Sequence, residues 1–161
     1  MGIALNTVTL NSGAGSISLR GRGRGVSDRG IDIPGGTIQS TSGAISLTGT
    51  SNSAFGYGLA LTSGTVMSTS GDILLRAISS DGSGGMLLDN ATVQTGSNVT
   101  IRLVAGGALD QITGGSIQAV GLRLVGEASS PFALSNVAGN DVDTLAGSTS
   151  GATTSIQYKD S

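Results

Sequence analysis

The chain has 161 residues, with 8 Lys or Arg against 10 Asp or Glu, a net charge of −2, and neither His nor Cys. That balance argues against a nucleic-acid-binding chain, and the missing His and Cys remove the usual zinc, haem and iron–sulfur ligands along with any disulfide framework. Gly is abundant at 28 residues, yet 37% of the chain is apolar and only 11% charged, which is neither a linker nor a disordered composition.

The apolar residues recur in a pattern. Gly2-Ile3-Ala4-Leu5 opens the first unit, followed by an apolar Leu10 and then by Ile17-Ser18-Leu19. Gly30-Ile31-Asp32-Ile33 opens the second, with Ile38 and Ile45-Ser46-Leu47 after it. Gly58-Leu59-Ala60-Leu61 leads to Val66 and Ile73-Leu74-Leu75, and Gly85-Met86-Leu87-Leu88 leads to Val93 and Val99-Thr100-Ile101. The openings recur at 28, 28 and 27 residues. A degenerate fifth unit continues with Ile117, Leu122 and Leu124.

Apolar residues two apart lie on one face of a strand. Each unit therefore predicts three short strands separated by Gly, Ser, Asn or Thr turns, and no unit can bury its apolar side alone. Stacked units do bury it, at ~4.8 Å per strand, which predicts a rod roughly 25–30 Å long. With aromatics at 2%, its core has to be thin and aliphatic. Because β-branched residues, Gly and Ser fill the units, a helical solenoid is disfavoured. Parallel crossovers are right-handed in ~98% of cases. The expected fold is thus all-β, a right-handed parallel β-helix or β-solenoid. The whole of 1–161 forms a single solenoid fragment, with four regular units over 2–111 and a degenerate and a C-terminal unit over 112–161. The segments 20–29, 48–57, 76–84 and 102–111 vary while the strands do not, and are expected to be loops on one corner.

Gly36-Thr37-Ile38-Gln39-Ser40-Thr41-Ser42-Gly43-Ala44-Ile45-Ser46-Leu47 resembles the repeats of filamentous-haemagglutinin-like adhesins, and so does the tail from Phe132-Ala133-Leu134 through Val142-Asp143-Thr144-Leu145-Ala146 to Ser155-Ile156-Gln157-Tyr158-Lys159-Asp160. The resemblance covers essentially the whole chain. It implies a large protein exported by a Gram-negative bacterium, often by two-partner secretion, and placed at the cell surface. It also implies roles in adhesion, aggregation or biofilm. Within such a protein this chain corresponds to shaft, since the pattern contains neither the family's N-terminal secretion domain nor a receptor-binding tip. Met1-Gly2 runs straight into the pattern with no leader, and no apolar run is long enough to span a membrane.

The candidate chemistry is sparse. Arg20-Gly21-Arg22-Gly23-Arg24-Gly25, with Arg29 nearby, is the one charge cluster. Its functional reading is a basic loop for an anionic glycan, a lipid, host or cell surface, or nucleic acid; its plainer reading, the favoured one, is a solvated flexible loop. Arg76 and Arg102 follow the third apolar column as Arg20 does, which extends the cluster into a basic stripe. No aromatic interleaves these arginines, so base stacking is not available to them. Asp32, Asp72, Asp81, Asp89, Asp110, Asp141 and Asp143 occupy scattered offsets. A polysaccharide-binding or polysaccharide-cleaving β-helix is the least favoured reading: no convergent acid pair is visible, so an enzyme is not expected, nor is a cofactor. Asp141 and Asp143, two apart, would share a strand face; a calcium site there is the sharper reading and two solvated acids the plainer. Asp81-Gly82-Ser83-Gly84-Gly85 resembles one calcium nonapeptide but does not repeat. Thr9, Thr37, Thr65, Thr92 and Ser116, with Asn11, Gln39, Met67, Gln94 and Gln118, should form two outward columns. Stabilising ladders are expected there rather than an ice-binding face. Phe55, Tyr57 and Phe132 read either as a sugar-stacking patch or, as favoured, as lone rings that cover a gap or cap a turn. Self-association through exposed end units is the remaining partner expectation.

Overall fold

A computed structural model describes residues 1–53, 55–79, 84–135, 139–151 and 154–161. The described residues form seventeen strands, all paired in parallel, and contain no helix. The first sheet stacks β1 (Ile3–Ala4), β4 (Ile31–Pro34), β7 (Leu59–Thr62), β10 (Met86–Asp89), β13 (Leu109–Ile112), β15 (Phe132–Leu134) and β17 (Ile156–Tyr158). The second face stacks β2 (Thr9–Asn11), β5 (Thr37–Ser40), β8 (Thr65–Ser68) and β11 (Thr92–Thr95). The third stacks β3 (Ile17–Gly23), β6 (Ile45–Ser51), β9 (Ile73–Ser79) and β12 (Asn98–Val104). Two longer strands, β14 (Ser116–Gly126) and β16 (Asp141–Thr149), run across the second and third faces without a break. The chain is a β-solenoid whose repeating unit is one turn.

Register follows the sequence columns. Ile31, Leu59 and Met86 are direct neighbours, as are Ile38, Val66 and Val93, and Ile45, Ile73 and Val99. Each of these side chains is fully or almost fully buried. Ile117, Leu122 and Leu124 register on Val93, Val99 and Ile101, which continues the same core. Like residues stack on like because a parallel strand slipped by one position would turn its apolar set outward.

Three kinds of corner bend each turn. Between the first and second strands a residue takes left-handed backbone geometry: Thr7 (φ 51°), Gly35 (74°), Ser63 (55°), Asn90 (49°) and Thr113 (26°). Gly and Asn are the residues best suited to that geometry; Ser and Thr hold it under strain. Between the second and third strands an inward hydroxyl carries the bend. Ser68 Oγ donates to the Gly43 carbonyl of the preceding turn (3.2 Å) and accepts from Gly71 N–H (2.9 Å). Ser40 does the same, donating toward Gly13 and Gly15 and accepting from Gly43, and Thr95 donates to Gly71 and accepts from Ser97. The third corner closes where the walls touch. A Cβ on Gly49 would fall on the carbonyl oxygen of Gly58, and one on Gly21 on that of Gly30.

That contact corrects the reading of the Arg-Gly segment as a flexible loop. Through Gly23 it is strand β3, because Gly21 and Gly23 point into the narrow corner and the intervening arginines point out. The third-face strands are seven residues long and absorb the first part of each segment expected to be a loop. The segment 102–111 likewise contains the start of β13, which pairs with β10.

The turn then shortens. Met86 registers on Leu109 and Leu109 on Phe132, 23 residues apart each time, and Phe132 on Ile156 after 24. The hydroxyl of the second corner is lost here: Ala119 follows Ser40, Ser68 and Thr95 in its column, and the corner straightens into β14. The inward columns change too. Gln111 replaces the aliphatic residue of the first sheet and Asn140 that of the second, and both are fully buried. Their amides pair reciprocally, Gln111 Nε2 to Asn140 Oδ1 at 2.8 Å and Asn140 Nδ2 to Gln111 Oε1 at 3.0 Å. Asn140 also accepts from Ile117 N–H, and its second Nδ2 hydrogen is shared between the carbonyls of Leu134 and Lys159.

Candidate functional site

Two outward surfaces carry the side chains able to meet a ligand. The first is the outer face of the third sheet. Alternation sends Arg20 and Arg22 of β3 outward, and register stacks Arg20, Thr48, Arg76 and Arg102 in a single column. Arg123 of β14 lies one strand further on, in the adjacent outward column with Thr100. Arg102 pairs with Glu127 through both Nε and Nη2. Arg76 sits directly beside Arg102, an unfavourable like-charge neighbour, and its buried Nε has no hydrogen-bond partner. The result is a basic face whose guanidinium forks match carboxylate, sulfate or phosphate groups.

The structure does not bring all the expected arginines to that face. Arg24 lies past the end of β3, in a turn where the Asp28 carboxylate accepts from Arg24 N–H (3.3 Å) and Gly25 N–H (2.6 Å). The amino terminus, and then Gly25, hold the Asp28 carboxyl below its ordinary range. Arg29 is half-buried, bonded to Asp32 at 2.6 Å with its guanidinium 6.0 Å from the Tyr57 ring centroid. Its role is to neutralise Asp32, which is 8% exposed. The three rings do not form a patch: Phe132 is buried in the core, Tyr57 covers Arg29, and Phe55 is 78% exposed.

The second surface includes an outward column that the sequence pattern predicts, in a groove that it does not. Beside the second corner a groove runs along the solenoid axis. One wall is the outward column Asn11, Gln39, Met67, Gln94, Gln118 and Asp141, in direct register over six strands. Thr41, Thr69, Gly96, Val120 and Asp143 line the other side. Its main part is a solvent-open recess of about 490 Å³, and an adjoining recess of about 210 Å³ shares Met67 and Thr69 with it and reaches Asn11. The expected amide ladder does not form. Gln39, Gln94 and Gln118 make no side-chain hydrogen bond among the described residues, and the real ladder is the inward hydroxyl series. Thr9, Thr37, Thr65, Thr92 and Ser116 do fall in one column on the same outward face, two residues earlier along each strand.

A smaller recess beyond Val120 contains Asp72, whose carboxylate accepts from Ser97 Oγ (2.6 Å) and Asn98 N–H (3.2 Å). Those bonds, the serine first, hold its carboxyl below the ordinary 3.8. No cluster of three acidic, His or Cys side chains occurs among the described residues. Asp141 and Asp143 share the groove, while Asp81 lies outside the described residues. No described helix is long and apolar enough to cross a membrane. Comparison of the chain with protein-family models, with curated proteins and with solved structures returns no match.

Proposed function

We propose that the chain is a shaft segment of a large secreted bacterial surface adhesin of the filamentous-haemagglutinin type. Its work is to hold distal binding regions away from the cell during adhesion, aggregation or biofilm formation. The observation that carries this reading is the unbroken parallel stack, whose three inward columns stay apolar from β4 to β12. Each interior strand is bonded on both sides, so stability grows with the number of turns, as a spacer under load requires. An antibody raised against the chain should label intact source cells before permeabilisation; labelling only after permeabilisation would overturn the reading.

The registered arginine face supports a subsidiary role, contact with anionic glycans or a host or cell surface. It predicts retention on a heparin column that salt reverses, and flow-through at low salt would remove it. Self-assembly into an extracellular filament is the alternative. The observation that favours it is the set of outer edges on β1, β2, β3, β16 and β17, each bonded on one side only, with Leu145 and Ile156 about 40% exposed. The same edges would equally receive the next turns of a longer chain. Light scattering across a concentration series, with negative-stain imaging, separates the two: the shaft reading expects a short monomeric rod, and uniform growing filaments would favour assembly.

A further inference from the structure

We infer that the axial groove beside the second corner binds an extended, uncharged polysaccharide strand running parallel to the solenoid axis. Four observations carry this. The groove is long and straight: its amide wall spans six strands in direct register, five steps of ~4.8 Å, or about 24 Å. A compact small molecule does not use such a length, whereas a linear polymer does.

The second observation is hydrogen-bonding capacity. The Gln39, Gln94 and Gln118 amides are unpaired, and each offers two donors and an accepting oxygen. Sugar hydroxyls donate and accept at once, so they match amides side by side. A surface kept only for stability would have engaged these amides within the solenoid, as each inward hydroxyl engages a backbone carbonyl of the preceding turn. Third, Met67 in the wall and Val120, 49% exposed at its rim, supply apolar contact for the C–H faces of sugar rings. Fourth, among the described residues the only charged lining groups are Asp141 and Asp143. They disfavour a polyanion, and all the solenoid's outward third-face arginines lie elsewhere.

A peptide strand is the poorer occupant. Strand addition needs an open backbone edge, and the strands lining this groove from β5 to β14 already pair on both sides. The groove is a surface along the shaft and stands independently of the adhesin reading.

The test titrates the intact chain with short linear oligomers of β-1,4-glucan, β-1,3-glucan and β-1,4-mannan, and with oligogalacturonate as the anionic comparison. Side-chain amide resonances are followed by NMR. At least one neutral oligomer should saturate and shift the Gln39, Gln94 and Gln118 amides. Gln94→Ala with Gln118→Ala should weaken it about tenfold, two lost hydrogen bonds' worth, without changing the melting temperature. Arg76→Ala should leave it unchanged. Absence of saturation by every neutral oligomer at millimolar concentration would overturn the inference. So would tighter binding of oligogalacturonate, or affinity indifferent to the double glutamine variant.

Discussion

The first four turns and the later ones form the same solenoid by different means. From β1 to β12 a turn takes 26 to 28 residues, bends at three corners, and from β5 on holds its second corner with a buried Ser or Thr hydroxyl. From β13 onward a turn takes 23 or 24 residues, the second corner is gone, and a buried amide pair joins the first sheet to the second. Strand pairing survives the loss of a corner, because parallel hydrogen bonding depends on the backbone and on which residues face inward. It does not depend on the length of the connection between faces. The residues that differ between the regions are those that set where the chain bends.

The largest perturbation should come from the regular region. Ile45 is 1% exposed and stacked between Ile17 and Ile73, and Ile45→Asp places an unpaired carboxylate there. A loss of more than about 4 kcal/mol is expected in urea unfolding. An unchanged midpoint would contradict the register. In the later region Asn140→Leu leaves the Gln111 amide, the Ile117 N–H and two carbonyls without their partner, and should cost about 3 kcal/mol. Gln111→Leu alone should cost less. The two together should lose clearly less than the sum, because neither orphans the other; strict additivity would mean that the pair does not form.

A smaller effect is expected at the hydroxyl ladder. Ser68→Ala unpairs Gly71 N–H and the Gly43 carbonyl, for a loss of about 1–2 kcal/mol in thermal or urea unfolding. Introducing Ser at Ala119, where the corner is straight, should give no gain. Smallest is the first corner. Ser63 holds φ at 55°, so Ser63→Gly should raise stability by up to about 1 kcal/mol. A comparable loss would mean that the left-handed geometry is wrong.

The regular region was legible because its markers are redundant. Gly openings and three aliphatic columns repeat together, and each column's register follows from the others. The later pitch was not legible, because Gln111 and Asn140 interrupt aliphatic columns of the first two faces in successive turns where the connection also shortens. Their pairing crosses the core and has no sequence spacing to announce it. Ser40, Ser68 and Thr95 resembled ordinary turn residues, since a hydroxyl that faces in and one that faces out look alike in a string. The Arg-Gly stretch looked like a loop for a related reason. Gly is weak in strands, and only the touching walls at Gly30 and Gly58 explain why nothing larger fits inward there. The arginine column was foreseen for Arg20, Arg76 and Arg102, whereas Arg29 is claimed by Asp32. The groove was missed because a concave surface is set by how two faces meet.

Because the chain has no Cys, disulfide trapping tests the change of pitch without background. Gln118 and Asp141 are outward neighbours 23 residues apart, and adjacent parallel strands place their Cα atoms about 4.8 Å apart, within disulfide range. Gln118→Cys with Asp141→Cys should oxidise readily and quantitatively, while Gln118→Cys with Leu145→Cys, at the 27-residue spacing of the earlier turns, should stay reduced. Efficient bonding of the second pair and not the first would show that the regular pitch continues to the end and that the shortened turns are wrong.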